Sequence, residues 1–115
     1  MNIEDIIKKY RGRLNDYDAS SSIKGHCGDT MEFYIRVEDG KISAVKYEAD
    51  GCAVTHACGA VVAFYVDGKP IKDAFYISPG LVVNTLGGVP EDHLHCPVLA
   101  VMAFFSAVGE YLSKP

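Results

Sequence analysis

Cys27-Gly28-Asp29, Gly51-Cys52 and His95-Cys96 are three short pieces, far apart in the chain, that each carry a side chain able to bind a metal. Together they hold three of the four cysteines and one of the four histidines among 115 residues. Thiolate, imidazole and carboxylate are the donors that zinc and iron take. None of the separations is that of a zinc ribbon or a bacterial ferredoxin run, so the pieces make one site only if the fold gathers them. Otherwise the cysteines are small buried hydrophobes.

The elements that must do the gathering are readable from periodicity. Ile3, Ile6, Ile7 and Tyr10 recur at helical spacing within Asn2 to Leu14, which predicts a short N-terminal helix. Asp16 to Ser22 reads as a small-polar loop, and Ser21 to His26 as an edge strand. From Thr30 the chain alternates, with Met31, Phe33, Ile35 and Val37 on one face and Glu32, Tyr34, Arg36 and Glu38 on the other. Asp39-Gly40 supplies a tight turn, and Val45, Tyr47 and Ala49 alternate on the return strand. Ala53 to Val66 is small, apolar and helical, stopped by Asp67-Gly68. Short helices are expected over Ile71 to Phe75 and Pro79 to Leu86, the second closed by Gly87-Gly88. A nearly all-apolar helix from Pro97 to Leu112 must be buried against the sheet or a partner chain, with Pro97 at its first position. The expected fold class is α+β, a three-stranded antiparallel sheet with helices packed on one face.

Topology then brings part of the site together. Antiparallel pairing sets the start of the first hairpin strand beside the end of the second, so Cys27 and Asp29 should neighbour Cys52. His95-Cys96 joins them only if the terminal helix docks with its N-terminus at the same end. Cys52 and Cys96 both stand at helix starts, where orphan N–H groups and the helix dipole favour thiolate. Gly25, Gly28 and Gly51 beside the donors allow tight turns and close approach.

Length gives one domain, residues 1–115, long enough for a core without disulfide staples. Apolar residues are 49% and charged residues 23%, an ordinary globular composition. A formal net charge of -4 without any Lys/Arg cluster argues against nucleic acid as the main partner. Met1 to Arg13 is too polar for a signal peptide, and the apolar run Val98 to Val108 is too short for a bilayer span. A cytoplasmic protein whose thiols do metal or sulfur chemistry is expected.

Gly25-His26-Cys27-Gly28-Asp29, Val37-Glu38-Asp39-Gly40-Lys41-Ile42, Gly51-Cys52, Leu86-Gly87-Gly88-Val89-Pro90 and Leu94-His95-Cys96, in that order, resemble the U-type iron–sulfur cluster scaffold family, IscU and the N-terminal domain of NifU. The likeness runs from about Ser21 to Leu112. It implies that Cys27, Cys52 and Cys96 receive sulfur and hold a transient [2Fe–2S] cluster. Asp29 then corresponds to the weak oxygen ligand that keeps the cluster labile, and His95 to an alternative ligand. Zn²⁺ takes the cluster-free site in such proteins. A cysteine desulfurase as sulfur donor, cluster-acceptor proteins and a homodimer are the partners implied, with a scaffold role rather than an enzyme's.

The chain also departs from the family pattern. Val89-Pro90-Glu91-Asp92-His93 stands where the family has a Leu-Pro-Pro-Val-Lys chaperone motif, which argues against recognition by an Hsp70-type chaperone pair. His93 thereby adds a further ligand or proton carrier. The run after Cys52 opens with Ala53, an Asn-Pro-Arg-type segment is missing, and so is the insertion of the SufU-like sulfur-transfer branch. Two other functions compete: a zinc-bound sulfurtransferase relaying persulfide, and a zinc-stabilised interaction module.

Bland readings cover the remaining candidates. Cys58 falls off the Cys52 face of its helix and reads as packing. His56, one turn below Cys52, reads as a satisfied core histidine, and His26 as surface. Phe64, Tyr65, Phe75, Tyr76, Phe104 and Phe105 read as core, any exposed remainder forming a dimer or partner surface. Glu38 and Asp39 are expected on a solvated face.

Overall fold

The computed structural model describes residues 2–25 and 28–114. Strands β1 (Ala19–Lys24), β2 (Thr30–Glu38) and β3 (Lys41–Asp50) form an antiparallel sheet in the order β1-β2-β3. Around it are helices α1 (Ile3–Tyr10), α2 (Ala53–Val66), α3 (Ile71–Ala74), α4 (Pro79–Leu86) and α5 (His95–Leu112). This is the expected three-stranded α+β architecture.

In β2 Met31, Phe33 and Ile35 are fully buried as the alternation predicts, but Tyr34, expected on the opposite face, is buried as well. Val37 is only half-buried, because the register slips at Arg36/Val37 and turns the strand end outward. Asp39 (φ 54°) and Gly40 (φ 76°) both take positive φ, as a type I′ hairpin turn requires. The edge strand starts two residues before its expected position. Ala19 and Ser20, expected only as loop, pair with Ile35 and Tyr34 instead. Small polar side chains are tolerated there because Ser21 Oγ meets Ser106 Oγ of α5 at 2.6 Å.

Helices α2 and α5 lie over the buried face of the sheet, α5 across β1 and β2 and α2 against β3. Gly59, mid-helix in α2, explains how closely the helix can pack. A Cβ there would come within 2.8 Å of the Tyr47 ring and 3.0 Å of the Met31 side chain. Tyr47, Phe33, Phe104, Met31 and Ile35 are the largest side chains completely enclosed between these layers. Helix α1 is capped by the Asn2 side chain and packs on α2. Ser78 caps α4, and Gly87 (φ 74°) ends it in the left-handed conformation.

Helix α5 begins at His95, so Pro97 is its third residue rather than its first. A 3-10 turn over Glu91–His93 leads into it. By length and composition the 22-residue stretch Glu91–Leu112 could cross a membrane, which Val98 to Val108 alone could not. Half of its most apolar window is buried inside the domain.

The aromatic expectation needs correction. Phe104 is buried, but Phe64, Phe75 and Tyr76 are exposed, Tyr76 by 82%, while Tyr65 and Phe105 are half-buried. The space over the sheet is filled by small residues of α2 and α5 (Ala60, Ala63, Ala100, Ala103, Ala107), which leaves no room for more rings.

Candidate metal centre

The site forms where three chain crossings meet at one end of the sheet. Thr30 pairs with Asp50, so Asp29 and the Gly51-Cys52 step leave the sheet side by side. Before β2 the Gly25 N–H donates to the Asp29 carbonyl at 2.6 Å, and the Gly28 N–H to the Gly25 carbonyl at 3.1 Å. Glycine at 25 is a matter of space, since a Cβ there would sit 2.7 Å from Asp29 Oδ1. Gly51 is the matching case on the other strand, where a Cβ would lie 2.7 to 2.9 Å from three atoms of the Thr55 side chain.

Thr55 sits at the centre. It is 1% exposed, and its hydroxyl lies 3.5 Å from Cys52 Sγ, 3.3 Å from Asp29 Oδ2 and 3.6 Å from Cys96 Sγ. Cys52 occupies the N-cap position of α2 with extended backbone, one turn before Thr55. Its thiol pKa is lowered. The Thr55 hydroxyl is the largest cause and the amide of the same residue the next, both favouring the thiolate. Cys52 is exposed and Cys96 fully buried in the first turn of α5.

Two histidines close the arrangement. His95 Nε2 is 3.6 Å from Cys96 Sγ and 3.8 Å from Asp29 Oδ2. His93 Nδ1 is 3.6 Å from Cys52 Sγ and 4.0 Å from Cys96 Sγ. The two imidazoles stack at a centroid distance of 6.2 Å and 22° between planes. Among the described residues two donor triads result, Cys52–His93–Cys96 and Asp29–His95–Cys96, each with all ligand atoms within 4.8 Å of one another. They open on a cleft of about 420 Å³.

This donor set suits a cation. The Asp29 side chain is 9% exposed, and its Oδ1 is buried with no hydrogen-bond partner among the described residues. A buried carboxylate oxygen lacking a donor is costly unless positive charge meets it. Sulfur, nitrogen and oxygen together match the ligand preferences of zinc and iron.

Of the residues singled out from sequence, Asp29, Cys52, His95 and Cys96 are brought together. Cys27 and His26 lie outside the described residues. Cys58 is fully buried, and burial pushes its thiol pKa up to about 12, so it is an inert packing residue as expected. His56 Nδ1 shares a hydrogen bond of 3.1 Å with the Tyr47 hydroxyl, and burial lowers its pKa, so it is neutral and satisfied. Thr55 was not anticipated. The available signal was its spacing: three residues after an N-terminal cysteine, a helix returns to the same face.

Residues 7–115 match the family described as NifU-like N terminal domain. Iron-sulfur cluster assembly scaffold protein IscU 1 of Archaeoglobus fulgidus is 34% identical over 104 residues, covering 90% of this chain and 68% of that protein. The scaffold protein IscU of Aquifex aeolicus is 33% identical over 90 residues, with 76% of this chain and 57% of the relative covered. The mitochondrial Iron sulfur cluster assembly protein 1 of Yarrowia lipolytica is 37% identical over 103 residues, at 87% and 56% coverage. The chain thus spans about two thirds of the archaeal protein and little more than half of the other two. Among solved structures, a putative SUF-system scaffold protein from Fervidobacterium islandicum superposes with a TM-score of 0.73 at 21% identity, covering 92% of this chain and 93% of that one. The N-terminal part of a NifU-like protein from Brucella abortus gives a TM-score of 0.73 at 19% identity, with 98% and 93% covered. These two likenesses speak for the fold, and the match over residues 7–115 for the lineage: the chain belongs to the NifU-like N-terminal domain family.

Proposed function

We propose that the chain is a scaffold protein for iron–sulfur cluster assembly, with a [2Fe–2S] cluster as its cargo and Cys27, Asp29, Cys52, His95 and Cys96 as the ligand set. The observation that supports this reading is the convergence of Asp29, Cys52 and Cys96, from two strand ends and a helix start, to within 3.6 Å of the Thr55 hydroxyl. Membership of a family whose relatives are named as scaffold proteins adds to it. Cys52 is exposed and inclined to the thiolate form, which suits it to receive sulfur as persulfide from a cysteine desulfurase. Asp29 supplies the harder oxygen ligand beside softer thiolates, and a mismatched ligand favours release to an acceptor. Exposed Leu94, just before α5, and Val98 and Met102 on it offer donor or acceptor proteins an apolar surface beside His95. The role is that of a carrier rather than an enzyme, in a cytoplasm or another compartment where thiols stay reduced.

The test is anaerobic reconstitution with iron, sulfide and thiol. Visible absorption of a [2Fe–2S] species should develop in the wild type and be lost in Cys52→Ser, Cys96→Ser and Cys27→Ser. Asp29→Ala should form a cluster that transfers more slowly to an apo-ferredoxin. A wild-type protein that stays colourless would sink the reading. The mixed oxygen, nitrogen and sulfur triad favours a second reading, a zinc-bound sulfurtransferase related to SufU-like proteins. That protein would carry zinc as purified and speed alanine release by the desulfurase without building a cluster.

A further inference from the structure

We propose that His93 is a metal ligand, forming with Cys52 and Cys96 a zinc position separate from the one that Asp29 and His95 form with the same Cys96. This rests on the scaffold reading only in taking Cys52 and Cys96 as metal-binding thiols.

Geometry carries the argument. With Zn–S near 2.3 Å and Zn–N near 2.05 Å, the sulfur-to-nitrogen edge of a zinc tetrahedron is about 3.6 Å. His93 Nδ1 stands 3.6 Å from Cys52 Sγ and 4.0 Å from Cys96 Sγ, already at that spacing. All three ligand atoms lie within 4.8 Å of one another. The 3-10 turn over Glu91–His93 is the reason. It runs into α5, so His93 and Cys96 are three residues apart on one helical face. Asp92 Oδ1 lies 4.0 Å from His93 Nε2, on the ring nitrogen that does not face the thiols. A carboxylate there can orient the imidazole, as the outer partner of a zinc-bound histidine usually does.

The two triads share Cys96 and no other donor. They therefore describe overlapping positions around one buried thiol rather than a single enlarged shell. The Cys52–His93–Cys96 position has two sulfurs and one nitrogen, and Cys52 and His93 line the cleft; three protein ligands are the number found in zinc sites that keep a place for an exchangeable ligand. Among the described residues the Asp29–His95–Cys96 position has one sulfur. Zinc, which holds thiolate more strongly than carboxylate, favours the first. His93 would therefore hold zinc on the exposed side of the centre and leave the Asp29 carboxylate uncommitted.

The test is a Zn²⁺ titration, with Co²⁺ as the coloured probe, on the full chain purified with chelator and without oxygen. His93→Ala should weaken Zn²⁺ binding by about tenfold or more and change the Co²⁺ ligand-field bands. Asp29→Ala and His95→Ala should stay within about threefold of wild type. His93→Cys should restore tight binding and strengthen the thiolate-to-cobalt band, a gain that a merely structural histidine would not give. His93 is half-exposed on a short turn, and a far-UV spectrum matching wild type checks that each variant is folded. Wild-type affinity and an unchanged Co²⁺ spectrum in His93→Ala overturn the proposal, as does loss of zinc in His95→Ala and not in His93→Ala. Cluster reconstitution on the same proteins separates the two readings. A colourless wild type with His93-dependent zinc sinks the scaffold and supports this site. Normal clusters with His93-independent zinc sink this site alone.

Discussion

Apart from tyrosine hydroxyls, Thr55 is the only buried side chain among the described residues that carries oxygen or nitrogen. Its one proton faces three acceptors, Cys52 Sγ, Asp29 Oδ2 and Cys96 Sγ, at 3.3 to 3.6 Å, and can serve only one at a time. The hydroxyl donates to Asp29 Oδ2 at 3.3 Å, the shortest of the three contacts, and its approach to Cys52 Sγ is the largest cause of that thiol's lowered pKa. Because the Cys52 pKa is lowered, thiolate is present at a lower pH than for an ordinary thiol and increases as pH rises through the shifted value. Thr55→Val keeps the volume and removes the proton donor. The alkylation rate of Cys52 at pH 7, read peptide by peptide by mass spectrometry in chelator-treated protein, should fall several-fold as its pKa rises toward the ordinary thiol value. Its pH profile should move up toward the ordinary thiol range, and Thr55→Ser should restore it. An unchanged profile would mean that the helix start, and not the hydroxyl, tunes the cysteine. Cys58, neutral and fully enclosed, should remain unlabelled throughout.

At the scale of elements, the β2–β3 hairpin and α2 set the distance between strand end and helix start, and Gly51 is the joint. A methyl group there would overlap the Thr55 side chain at 2.7 to 2.9 Å. Gly51→Ala should therefore destabilise the domain by about 1–3 kcal/mol in urea unfolding, the usual range for overpacking. It should also raise the Cys52 pKa in the alkylation assay by pushing the hydroxyl away. Full stability with wild-type reactivity would contradict this account of the joint. The hairpin, α2 and α4 were legible because each carries its own punctuation: alternation with Asp39-Gly40, a small apolar run with Asp67-Gly68, and Pro79 with Gly87. The edge strand was blurred because Ser20, Ser21 and Ser22 carry no apolar alternation, and only pairing with β2 makes them extended. The docking of α5 was not legible either. Its residues are apolar nearly all round, so no stripe marks the face that meets the sheet. Hence Asp29 and Cys52 could be joined by topology, whereas His95, Cys96 and the contact with His93 needed the packed fold.

For the molecule as a whole, the question is whether the centre holds the fold together or merely rests on it. Phe33 packs edge-on against Phe104 at 5.8 Å between ring centroids, and Tyr47, Met31, Ile35 and Val61 complete a core without exposed members. That core lies between sheet and helices, and of the site residues described only Thr55 and Cys96 are buried with it. A zinc-stabilised interaction module should lose its structure when metal is removed, as small metal-dependent domains do. This chain should not. Metal that binds only the folded state at about a hundred times its dissociation constant contributes about 2.7 kcal/mol, which for a domain of this size is roughly 10–20 °C in Tm. Treatment with EDTA under reducing conditions should therefore lower Tm by no more than that. It should leave a single cooperative transition and a native far-UV spectrum at 25 °C. Added Zn²⁺ should restore the loss in the wild type and fail to do so in Cys52→Ser with Cys96→Ser. Collapse to an unfolded spectrum on chelation would instead make the metal part of the core and favour the interaction-module reading over a scaffold that must empty its site and survive.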